Sequence, residues 1–136
     1  MKTVLLYYSW SGHTAQLAAA RAQQESAQLV AVRDRKRPSV LKAYTAGALA
    51  ALRMHGTDIL PLGIALDDYD KILLMAPVWA GHPAPAANSV FALLPRGKSV
   101  EVVMVSASGS SSCQDKVRTL VEARGCTLTV FENCKA

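Results

Sequence analysis

Apolar positions fall into five short runs, at residues 2–8 (KTVLLYY), 28–32, 71–76 (KILLMA), 100–105 (VEVVMV) and 126–131. The first, third and fourth are nearly continuous rather than alternating, as strands covered on both faces are. Helical patterns lie between them. Residues 14–25 are rich in Ala, Leu and Gln with no breaker. Ser39 is placed to cap a helix over 39–55. There Val40, Leu41, Tyr44, Ala48, Leu49 and Leu52 recur at helical spacing as one apolar face, and Gly56 is placed to close it. Residues 86–94 and 115–124 complete the helices, the last stopped by Gly125, and 57–70 read as an irregular connection.

Strict β-α alternation predicts a parallel sheet with helical crossovers on both faces, a three-layer α/β/α sandwich. No internal repeat or linker interrupts it, and 136 residues fit one domain over 1–136. With 51% hydrophobic and 18% charged residues the chain is not a disordered one. The stretch 72–94 is cut by Pro77, His82, Pro83, Pro85 and Asn88, so no membrane span is expected. The N-terminal run passes into polar turn residues without a small-x-small cleavage site, which favours a cytoplasmic protein. Cys113, Cys126 and Cys134 are too scattered for a disulfide framework or a zinc site and are expected as reduced thiols. Cys113, before a helix, is the candidate exception.

The net charge of +5 is uneven. Residues 1–60 carry eight basic and three acidic side chains, and 61–136 carry seven of each. The excess is densest at Arg33-Asp34-Arg35-Lys36-Arg37. A solvated loop is the simple reading, and a docking patch for an acidic redox partner protein is the alternative. With 6% aromatics and no basic stripe alternating with stacking residues, nucleic acid is not the expected partner.

In parallel α/β sheets, ligands bind beyond the carboxyl ends of the strands. Three strand ends here consist of turn residues. The first, Ser9-Trp10-Ser11-Gly12-His13-Thr14, precedes a helix whose first N–H groups lack partners, so it is a candidate anion site. Hydroxyls of Ser9, Ser11 and Thr14 can donate to the same oxygens. Neither the lysine of a P-loop nor the glycine spacing of a dinucleotide site is present. The second, Pro77-Val78-Trp79-Ala80-Gly81-His82-Pro83-Ala84-Pro85, is stiffened by prolines and offers an indole for stacking. Gly81 is expected at the third position of a type II turn. In the third, Ser106-Ala107-Ser108-Gly109-Ser110, small residues permit close backbone approach.

These residues resemble the flavodoxins, in particular compact bacterial flavodoxin-family proteins. YYSWSGHT is similar to the Ser/Thr-x-Ser/Thr-Gly-x-Thr phosphate loop after strand one, and DYDKILLMAPVWAGHPAPAANSVFALL to strand three with its flavin loop. The stretch KAYTAGALAALR and the serine loop after VEVVMV agree more loosely. The resemblance spans essentially the whole chain and implies a five-stranded sheet in the order 2-1-3-4-5 that binds FMN at the switch point. It implies that Ser9, Trp10, Ser11, Gly12, His13, Thr14 and Ala15 hold the phosphate end. Pro77, Val78, Trp79, Ala80 and Gly81 would line the isoalloxazine, and Ser106, Ala107, Ser108 and Gly109 would close its other side. The chain departs from many flavodoxins in being basic, in lacking an aromatic residue over 106–113, and in having His13 where Asn is frequent.

FMN would perform the electron chemistry, with a peptide acceptor at Ala80–Gly81 expected near its N5. The first expected function is a one-electron carrier between redox partner proteins, as a monomer or weak homodimer. The alternative is an NAD(P)H-dependent quinone or flavin reductase on the same fold. A receiver domain lacks its strand-end carboxylates here, and a low-molecular-weight phosphatase lacks its first-loop cysteine. No catalytic side chain and no metal ligand is assigned.

Overall fold

In the computed structural model, which describes residues 2–136, the apolar runs become strands β1 (Thr3–Tyr7), β2 (Gln28–Ala31), β3 (Lys71–Trp79), β5 (Ser99–Ser106) and β6 (Thr127–Lys135). A two-residue strand, β4 (His82–Pro83), folds back antiparallel on β3. The long strands are parallel in the order β2-β1-β3-β5-β6, which is 2-1-3-4-5 once β4 is set aside. Helices are α1 (His13–Glu25), α2 (Val40–Lys42), α3 (Ala48–Leu52), α4 (Pro85–Phe91) and α5 (Gln114–Ala123), with a π-helical turn, Ala43–Gly47, joining α2 to α3.

Each face of the sheet has its own core. On one, Val4, Leu6, Ile72, Leu74, Val102 and Met104 pack against Val90 and Phe91 of α4 and Val117 and Val121 of α5. On the other, Leu5, Leu73, Met75, Val103 and Val105 pack against Ala18 and Ala22 of α1. Because β1, β3 and β5 are largely buried on both faces, their sequences read as nearly continuous apolar runs, interrupted in β5 by Glu101. Beside α1, Lys71 Nζ lies 2.7 Å from Glu101 and 3.0 Å from Glu25, and Arg21 bridges Glu25 and Glu132.

Several boundaries differ from expectation. β3 does not stop at Ala76 but continues through Pro77 to Trp79. β1 ends at Tyr7, paired with Met75, so Pro77 has no β1 partner to which a missing N–H would matter. The helix over 40–52 does not end on Gly56. Met54, at φ 55°, takes the left-handed position, while Gly56 lies where a Cβ would stand 2.7 Å from Ser89 Oγ. The apolar face expected on that helix is not buried. The segment turns Ala43 and Ala51 inward and lays Gly47 on the Trp79 indole, leaving Val40, Leu41, Tyr44, Leu49 and Leu52 exposed. The backbone comes so close to Trp79 that only small side chains fit on the inner side, which sends the large ones out.

Candidate functional site

Because β1, β3 and β5 are neighbours, the three turn-rich strand ends lie side by side at the carboxyl edge of the sheet. In the first, Gly12 is the N-cap of α1 at φ 100°, a conformation L side chains rarely adopt. Its N–H donates to Ser9 Oγ at 3.0 Å. No side chain caps α1, so the opening N–H groups of the helix are left for a ligand. A Cβ added at Gly12 would meet nothing within 4 Å, so the approach to those donors is open. Ser11, Gly12 and His13 are exposed, Ser9, Trp10 and Ala15 are half-buried, and Thr14 is buried. Trp10 Nε1 is a buried donor without an acceptor.

The second strand end is a tight hairpin between Trp79 and His82. Ala80 at φ 50° and Gly81 at φ 76° make it a type I′ turn, correcting the type II expectation. That turn type matches the twist of the flanking strands, and it places Gly81 where a Cβ would collide with Ser112 Oγ. His82 is buried, with Nδ1 2.8 Å from the Ala80 carbonyl oxygen and Nε2 3.0 Å from Lys116 Nζ. An ammonium only donates, so Nε2 accepts and Nδ1 carries the proton. The Gly81 carbonyl accepts from Ser112 N–H at 2.9 Å. Both carbonyls of the turn thus have a partner within the protein, and each keeps a second lone pair. Trp79 is half-buried and meets Trp10 (6.2 Å between centroids) and Tyr8 (6.4 Å) edge to face. The indole contact joins the first loop to the second, as Ser112 joins the second to the third.

The third loop is held by its own serines. Ser106 Oγ accepts from the N–H groups of Gly109 (2.9 Å) and Ser110 (3.1 Å), and the Ser108 and Ser110 hydroxyls lie 2.9 Å apart. Ala107 and Ser108 are exposed, Ser106 and Gly109 half-buried. Cys113, just beyond, is fully buried. Burial pushes its thiol up, outweighing the Ser111 hydrogen bond and the nearby Lys116 charge, so it is not an activated thiolate.

Sequence reasoning missed the residues on the far side of Trp79. A cavity of about 550 Å³ lies between Tyr8 and Trp79 and the segment 34–58, its wall including Arg35, Lys36, Arg37 and Lys42. The Tyr8 hydroxyl donates to Asp34, and burial first, then that bond and the Asp34 charge, pushes the phenol well above its ordinary range. Arg37 donates to the Trp10 carbonyl oxygen at 2.6 Å, with its guanidinium 5.3 Å from the Trp10 ring centroid. The basic run was visible in the sequence, but its fold-back onto Trp10 is a contact between residues 27 positions apart. Among the described residues no group of three or more His, Cys, Asp or Glu could hold a metal ion, and no helix is long and apolar enough to cross a membrane.

Solved structures match this arrangement over nearly the whole chain. A flavoprotein from Lactobacillus acidophilus, determined in complex with FMN, is 25% identical with a TM-score of 0.76, covering 96% of this chain and 91% of its own. A protein from Bacteroides uniformis described as a flavoprotein is 20% identical with a TM-score of 0.77, covering 99% and 92%. The fold is flavodoxin-like. Flavodoxin 1 from Bacillus cereus is similar more distantly, at 17% identity and a TM-score of 0.56 over 100% of this chain and 86% of its own. No family profile and no curated protein matches the sequence. In this flavodoxin-like chain the resemblance read from the first and third strands is borne out, as are the parallel sheet and its strand order.

Proposed function

We propose that the chain binds FMN at the carboxyl edge of β1, β3 and β5 and works as an electron-transfer flavoprotein. The observation that carries this reading is the uncapped start of α1, opened by Gly12 at φ 100° with free space around it. The phosphate would be held by neutral donors: the N–H groups that follow Gly12, and the hydroxyls of Ser9, Ser11 and Thr14. Trp10, His13 and Ala15 would flank them. Pro77, Val78, Trp79, Ala80 and Gly81 would wall one side of the isoalloxazine, and Ser106, Ala107, Ser108 and Gly109 the other. Bound FMN supplies one- and two-electron chemistry, while the protein supplies position and electrostatics. The His82–Lys116 and Gly81–Ser112 bonds keep the second wall rigid. The FMN complex of the L. acidophilus flavoprotein supports the cofactor assignment.

Titration of FMN with purified protein tests the reading: flavin fluorescence should be quenched and the bound form should show a structured visible spectrum. Unquenched fluorescence at micromolar concentrations overturns it.

A second reading, an NAD(P)H-dependent quinone or flavin reductase, is supported by the cavity beside Trp79, whose volume and cationic wall suit an anionic second substrate. Steady-state NADPH oxidation with added quinone separates the two, since a carrier alone turns over slowly.

A further inference from the structure

A surface helix ordinarily buries its large apolar side chains and exposes polar ones. The segment 40–52 does the reverse. Val40 is 60% exposed, Leu41 73%, Tyr44 77%, Leu49 47% and Leu52 46%, while the small residues Ala43 and Ala51 are buried. Thr45, among them, donates its hydroxyl to the Leu41 carbonyl oxygen at 2.7 Å, so that polar group is satisfied without water. Single exposed apolar residues are common on protein surfaces, but five on one short segment mark a surface built to be covered.

Charge says by what. Arg33, Arg35, Lys36 and Arg37 lead into the segment, Lys42 lies within it and Arg53 follows it, all exposed. The acidic residue in this stretch, Asp34, is engaged by Tyr8. We propose that the segment is a membrane-surface anchor, lying in the interfacial layer of a bilayer that carries anionic headgroups. Val40, Leu41, Tyr44, Leu49 and Leu52 would enter the acyl boundary while the cations face lipid phosphates. A second copy of the chain is a poorer occupant, because a two-fold interface would bring the same cations together. A fluid acyl layer asks for no complementary shape and accommodates far-projecting Leu41 and Tyr44. The apolar residues lie outside the proposed FMN-binding set, whereas Arg35, Lys36, Arg37 and Lys42 also wall the cavity beside Trp79. Vesicle binding is read without flavin, so the inference fails or holds separately from the cofactor reading.

Flotation of the full-length chain with vesicles tests it, comparing phosphatidylcholine alone with equal parts phosphatidylcholine and phosphatidylglycerol. The chain should float with the anionic vesicles, far less with the neutral ones, and less as salt rises. The double variant Leu41→Ser with Tyr44→Ser, and separately Arg35→Glu with Lys36→Glu, should each lower partitioning about tenfold while circular dichroism and melting stay unchanged. Failure to float with anionic vesicles overturns the proposal. A dimer by light scattering that the Leu41→Ser, Tyr44→Ser variant dissociates, without lipid binding, replaces the bilayer by a second copy. Equal binding to both vesicle types, or unaltered binding by either variant, also overturns it.

Discussion

Gly47 and Trp79 are in direct contact: a Cβ at Gly47 would stand 2.9 Å from Cζ3 of the indole. The backbone of the π-helical turn thus forms a seat for the side chain expected beside the flavin. Gly47→Ala must push the ring or the turn aside, at a cost of about 1–3 kcal/mol. The melting temperature should fall and the FMN dissociation constant should rise several-fold. Near-ultraviolet circular dichroism, which reports the Trp10–Trp79 pair, checks that the ring has moved.

The hairpin separates two kinds of backbone demand. Ala80 holds φ 50° without needing its side chain, so Ala80→Gly should be neutral or stabilise by up to about 1 kcal/mol. Gly81→Ala combines a positive φ with a collision against Ser112 and should destabilise by about 2 kcal/mol or more. Lys116→Met leaves buried His82 Nε2 without a donor and should cost about 1–3 kcal/mol. Urea denaturation of the three variants ranks them.

At Gly12 the space is open and the strain lies in the backbone. Gly12→Ala should cost about 1–2 kcal/mol of stability. It should also weaken FMN binding about tenfold by turning the first N–H groups of α1 off the phosphate. Isothermal titration, with riboflavin as the ligand lacking a phosphate, distinguishes the two effects. Riboflavin affinity should change little.

The Tyr8–Asp34 pair makes stability depend on alkaline pH. The Tyr8 phenol is raised in the folded protein, by burial first and then by Asp34, above the unfolded value of about 10. Its contribution is fully present below that value and is lost as pH rises toward the folded one. Denaturant midpoints should therefore drop more steeply between about pH 10 and 12 in the parent than in Tyr8→Phe. Near pH 7, loss of the hydrogen bond should leave the variant weaker by about 0.5–1.5 kcal/mol.

None of the three loops contains Asp or Glu. Asp34 and Asp58 on the cavity wall are outnumbered there by Arg35, Lys36, Arg37 and Lys42. Added negative charge on bound FMN thus meets little local repulsion, and its second electron should enter at a less negative potential than in flavodoxins with acidic loops. Spectroelectrochemistry measures the value directly, and a very low second potential contradicts the expectation.

The strands were legible because burial on both faces leaves a one-dimensional trace: β1, β3 and β5 are apolar without alternation. The strand-end loops were legible because Gly, Pro and Ser mark turns. The turn type was not, since nothing about Ala80 announces a positive φ. The periodicity of 40–52 correctly gave one apolar face but could not say which way it points. That depends on Gly47 meeting Trp79 across the fold. The Arg37–Trp10 and Tyr8–Asp34 contacts were likewise invisible, being made between segments that only the folded sheet brings together.

The ties on the two sides of the site are unequal. The hairpin is fastened to α5 through Lys116 and to the serine loop through Ser112, whereas the first loop is clasped from outside by Arg37. Losing the Arg37 contact would therefore slacken the first loop alone, while the hairpin keeps both of its own anchors.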